Sequence, residues 1–112
     1  MIKFCSLYSG SSGNSIFIGV GKTKILIDAG LSGIKITKAL SLIDESPGEL
    51  SAILITHDHI DHVKGAGILS RKYNIPIYAN EGTWESMKNL IGPVALENIR
   101  VFYTGTTLDI GR

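Results

Sequence analysis

The chain has 112 residues, 44 % of them hydrophobic, with eleven basic and ten acidic side chains and a net charge of +1. That length suits one domain or part of one, and that hydrophobic fraction excludes a disordered chain. Near-neutral charge gives no bulk attraction for a polyanion, a single cysteine excludes an internal disulfide, and no run reaches the ~18–20 apolar residues of a membrane span.

Residues 1–7 read as a strand in which Cys5 is a small buried hydrophobe. The N-terminus carries one lysine and no long apolar stretch, so no signal peptide is expected and a cytoplasmic location is the default. Turn formers follow in Ser9-Gly10-Ser11-Ser12-Gly13-Asn14-Ser15, which turn chemistry alone explains. Residues 15–20 and 24–27 are β-rich runs joined at Gly21-Lys22, a hairpin signal. The stretch Gly19-Val20-Gly21-Lys22-Thr23 looks like the end of a phosphate-binding loop, but its first glycine would fall at Ile16 and it joins two strands. Asp28-Ala29-Gly30 closes the second run. Over residues 35–43, Ile36, Ala39, Leu40 and Ile43 keep helical spacing, until Pro47-Gly48 breaks the chain.

Ala52-Ile53-Leu54-Ile55 is wholly apolar, as a strand buried on both faces should be. Residues 63–73 then predict a helix with Arg71 and Lys72 in its last turn. A strand over 75–79 leads to a second helix over 83–91, with Trp84 on its apolar face. Two further strands are expected over 99–103 and 107–110. Strands and helices in this order predict an α/β fold, helices packed on a mixed sheet. The chain stops at Gly111-Arg112, directly after the last expected strand, so an incomplete domain is expected, or one completed by self-association through an unpaired sheet edge.

All three histidines fall in Thr56-His57-Asp58-His59-Ile60-Asp61-His62, directly after the buried run. Imidazole and carboxylate are preferred ligands of zinc, iron and manganese. His57 and His59 face the same way along an extended segment, and Asp61 and His62 project from the first turn of the next helix. This spacing suits two ions, His57 and His59 on one, Asp61 and His62 on the other. Asp28 and Asp58 are candidates for carboxylates that orient those ligands from behind; Thr56 is expected to cap the loop. Neither a His-Glu-x-x-His nor a Cys-x-x-Cys motif occurs, which removes the zincin and zinc-finger readings.

The string His57-Asp58-His59-Ile60-Asp61-His62 resembles the H-x-H-x-D-H signature of the metallo-β-lactamase fold superfamily, and Asp28-Ala29-Gly30 resembles its upstream aspartate motif. The stretches 9–15, 26–33 and 71–80 are similar to those of its bacterial YycJ (WalJ) subgroup. The resemblance covers nearly the whole chain and implies the N-terminal half of an αββα sandwich. It implies a binuclear zinc or manganese site in a phosphodiesterase that degrades DNA from 5′ to 3′. It carries His57 and His59 over to the first metal and Asp61 and His62 to the second, with Asp61 also holding the nucleophilic hydroxide. The family's later ligands are a third histidine, a bridging aspartate and a final histidine, yet no histidine follows His62. Weak or no metal binding and no activity are therefore expected of this chain alone. Thioesterases and iron-dependent oxidoreductases share the fold, and the first four ligands do not separate them from nucleases.

Overall fold

The computed structural model describes residues 1–110. Three strands open the chain: β1 (Ile2–Tyr8), β2 (Ser15–Val20) and β3 (Thr23–Ile27). Helix α1 (Gly33–Ser41), β4 (Ala52–Leu54), α2 (Ile60–Val63), α3 (Ala66–Tyr73), β5 (Ile77–Ala79), α4 (Glu81–Ile91) and β6 (Ile99–Val101) follow. The six strands lie side by side in chain order. The first two pairings are antiparallel and the remaining three parallel. Parallel neighbours need crossovers, and α1, α2 with α3, and α4 supply them.

Period-two alternation gives the sheet two unlike faces. Phe17, Leu26, Ile53 and Ile77 stand in one cross-strand row and are fully enclosed. Helix residues Ile36, Leu40, Leu69 and Met87 close over this face. The opposite face carries the row Phe4, Ile18 and Ile25. There Phe4 is 65 % exposed, and Ile2 and Val20 are exposed as well. One helical layer on one sheet is half of the sandwich that the resemblance implies.

Three expectations are corrected. The helix expected unbroken from residue 63 to 73 starts earlier and is interrupted at Lys64-Gly65. Residues 107–110 form no strand: Thr106 N–H bonds Tyr103 C=O in a turn, and past it the chain finds no ladder to join. The expected edge strand is therefore absent, and β1 and β6 are the two edges. Helix α1 begins two residues before residue 35, because the Ser32 hydroxyl accepts the Lys35 N–H and caps it there. Asn80 caps α4 in the same manner by accepting from Thr83 N–H. Among the described residues, no helix is long and apolar enough to cross a membrane.

Charge ties strands β1 and β3 to the segment after α1. Glu45 lies 2.9 Å from both Lys3 of β1 and Lys24 of β3, and Lys3 also donates to the Ile43 carbonyl. The Lys24 ammonium, with Lys3 second, holds the Glu45 carboxyl below its ordinary range. A lowered folded-state pKa means that the paired carboxylate stabilises the fold above its unfolded pKa. That contribution disappears as pH falls through the lower folded value. Urea unfolding of the native chain and the Glu45→Gln variant, compared from pH 7 down to the acid limit, should show the variant less stable near neutrality. The two curves should converge as Glu45 protonates; a gap constant with pH would reject this assignment.

Candidate metal centre

Strands β3 and β4 are parallel, so their carboxyl ends share one edge of the sheet, the usual place for sites in α/β folds. Asp28 follows β3 and the histidine string follows β4. The Asp28 N–H donates to the Leu54 carbonyl at 2.7 Å, locking the two strand ends together. Asp28 itself adopts a left-handed backbone, φ +66°. A non-glycine residue there costs on the order of 1 kcal/mol, tolerable where surrounding bonds over-determine it.

Those bonds converge on the Asp28 carboxylate, which is buried. Its Oδ1 accepts the Thr56 N–H at 2.7 Å, and its Oδ2 accepts the Thr56 hydroxyl at 2.6 Å. His62 Nδ1 lies 2.7 Å from the same Oδ2. A carboxylate only accepts, so His62 donates from Nδ1 and keeps Nε2 for another partner. Thr56 thus does more than cap the loop.

Backbone bonds set the helix that carries Asp61 and His62. In a regular helix the Gly65 N–H would reach the Asp61 carbonyl, but it donates instead to Ala29 C=O at 2.7 Å. The freed Asp61 carbonyl accepts the Asn14 N–H at 2.9 Å, and His62 C=O accepts the Ala29 N–H at 2.8 Å. This exchange is the physical cause of the break between α2 and α3. It also demands a close approach: a Cβ on Gly30 would lie 1.7 Å from the Asp61 carbonyl oxygen. The Asn14 side chain completes the clamp, with Nδ2 at 3.3 Å from Asp61 Oδ2 and 3.0 Å from Gly10 C=O. The serine and glycine cluster is therefore a strap across the site, a role that turn composition alone did not reveal.

Of the expected ligands, the structure brings His57 and His62 together, ring centroids 4.6 Å apart. With Asp28 they can offer ligand atoms all within 4.8 Å of one another. Asp61 Oδ2 sits 3.7 Å from His62 Nε2. His59, at the α2 N-cap, points outward with its side chain 76 % exposed, and its Nε2 is 3.8 Å from Asp58. Asp58 touches no other member of the group. A cavity of about 210 Å³ beside the site is lined in part by Ser9, Asn14, Asp28 and His62. A larger groove, about 940 Å³ between α4 and β6, shares no residue with the histidine string.

Comparison with known proteins identifies the family and the fold. Residues 8–109 match the family model of the metallo-beta-lactamase superfamily. Exodeoxyribonuclease WalJ of Streptococcus pneumoniae is 49 % identical over 97 % of the chain, and exodeoxyribonuclease YycJ of Bacillus anthracis is 45 % identical over 98 %. The chain spans 41 % and 42 % of the lengths of these two relatives. Among solved structures, a B3 metallo-beta-lactamase with an active-site glutamic acid superposes with a TM-score of 0.75 at 24 % identity. That match covers 92 % of this chain and 44 % of the other. It speaks to the fold alone.

The close approach at Gly30 generates a sharp expectation. Gly30→Ala should destabilise the chain by about 3 kcal/mol or more in urea unfolding, because the obstacle is backbone and cannot swing aside. Gly82→Ala in α4, where only the Asn80 side chain comes near, at 3.6 Å, should instead gain about 0.5 kcal/mol. Equal effects at the two positions would refute the stitched geometry.

Proposed function

The chain belongs to the metallo-β-lactamase superfamily, and we propose that it supplies the first half of a binuclear metal centre in a hydrolase that cuts DNA phosphodiester bonds from the 5′ end. The observation that carries this reading is the histidine string, fastened to a buried carboxylate at the carboxyl ends of β3 and β4. The 49 % identity to an exodeoxyribonuclease points to the substrate. The donor set fits divalent ions: imidazole and carboxylate suit zinc and manganese, and metal-bound histidines commonly donate their second ring N–H to a carboxylate, as His62 does.

In this reading His57 and His59 hold one ion, and Asp61 and His62 the other. Asp28 stands behind them, its carboxylate already taken by three donors. Asp58 orients His59 from outside the group. Asp61 is held on one side by Asn14, and its carboxylate would help position the attacking water. Two zinc or manganese ions, when bound, would acidify that water and polarise the phosphoryl oxygen. Each ion would take only two ligands from this chain, fewer than the three usual for catalytic zinc, so the chain alone should bind metal weakly and turn nothing over.

Two measurements test the proposal. A chain extended to the length of these relatives, given manganese or zinc and duplex DNA with a 5′ phosphate, should release nucleotides from the 5′ end. His57→Ala and Asp61→Asn should each lower that rate at least about 100-fold. Turnover of a thioester in place of DNA would overturn the substrate assignment. Tight stoichiometric zinc binding with turnover by the 112-residue chain would overturn the half-site reading.

A further inference from the structure

We propose that Thr56 is a positioning residue whose hydroxyl relays the Asp28 carboxylate to His57, fixing the tautomer of that histidine. The argument is a count of protons. Thr56 Oγ1 has one hydrogen and two neighbours, Asp28 Oδ2 at 2.6 Å and His57 Nδ1 at 2.9 Å. The carboxylate has no proton to give, so the hydroxyl hydrogen points to Asp28. Towards His57 the hydroxyl then only accepts, and the imidazole must carry its proton on Nδ1. His57 Nε2 is left unprotonated, its lone pair free.

The same carboxylate oxygen takes His62 Nδ1 directly at 2.7 Å. Asp28 therefore sets both histidines, one by contact and one through a hydroxyl. The rings lie beside each other, 4.6 Å between centroids, with both Nδ1 atoms committed to this network. Backbone geometry keeps the relay in register, since the Thr56 N–H is bonded to the other oxygen of the same carboxylate. The Thr56 backbone thus cannot slide without breaking that bond, and rotation of its side chain would break both hydroxyl contacts. His59 has no such support: its only polar neighbour in the group is Asp58, at 3.8 Å.

The relay rests on the metal-centre reading only for its purpose, and its existence can be tested without metal. Long-range proton–nitrogen correlation spectra of the metal-free chain, at a pH where imidazoles are neutral, report which ring nitrogen carries the proton. His57 and His62 should both be protonated on Nδ1. Thr56→Val, which keeps the shape and removes the hydroxyl, should leave His62 unchanged and turn His57 into a tautomer mixture. Thr56→Ser should restore the Nδ1 form, and this rescue also applies if the valine chain folds poorly. An Nε2-protonated His57 in the native chain, or an unchanged His57 in Thr56→Val, overturns the relay. Zinc affinity of the extended chain is the separate arm. A loss of about 10-fold or more in Thr56→Val but not Thr56→Ser is expected. An unchanged affinity with a changed tautomer would sink the metal-centre reading of His57 and leave the relay standing.

Discussion

Two carbonyl oxygens, those of Asp61 and His62, decide how the site is built. In an undisturbed helix both would be spent on the next turn. Here Asn14 and Ala29 claim them, while Gly65 pays the strand-end loop back by donating to Ala29. The loop after β3, the strap before β2 and the start of α2 thereby become one hydrogen-bonded unit. The cost is an interrupted helix, two short pieces where one longer helix would be more stable by itself. The gain is that Asp61 and His62 are held by backbone, not by side-chain packing on a surface exposed to water.

Beneath this unit sits a single buried carboxylate. A buried charge is expensive unless each lone pair finds a donor, and Asp28 finds three, all from the segment that also carries the histidines. Burial and function therefore ask for the same contacts. The left-handed backbone at Asp28 fits that account, because it is the turn that aims the carboxylate back across β4 and not along β3. Remove the histidine segment and the carboxylate would lose all three of its donors, leaving only the backbone bonds to Leu54 and Ser15.

Local pattern made part of this legible. The apolar run 52–55, the alternation in β2 and the helical spacing in α1 are short-range signals; β2 appeared with its expected bounds, β4 ended one residue early, and α1 formed two residues nearer the N-terminus at both ends. The histidine string announced itself by composition. The break at Gly65, the strap by Asn14 and the dual contact of Thr56 did not, since each depends on partners 28 to 47 positions away or on a backbone bond that a neighbouring loop takes over. The strand expected over 107–110 rested on β propensity at Leu108 and Ile110, and after the turn at Tyr103–Thr106 those residues pair with no strand. Asp28 was found as a ligand-orienting candidate, while its hold on both the hydroxyl and the backbone of Thr56 required the fold.

The histidines also differ in what they have already lost. His57 is hydrogen-bonded to Thr56 and His62 to Asp28, so part of their rotamer freedom was surrendered when the chain folded. His59 keeps a side chain that is 76 % exposed, with Asp58 beside it at 3.8 Å. Anything that recruits it must first fix that side chain, at about 0.5–1.5 kcal/mol for a side chain immobilised on binding. Within one six-residue motif, the entropy of assembly is thus divided unevenly: part is charged to folding, and part falls on His59 at the moment of capture.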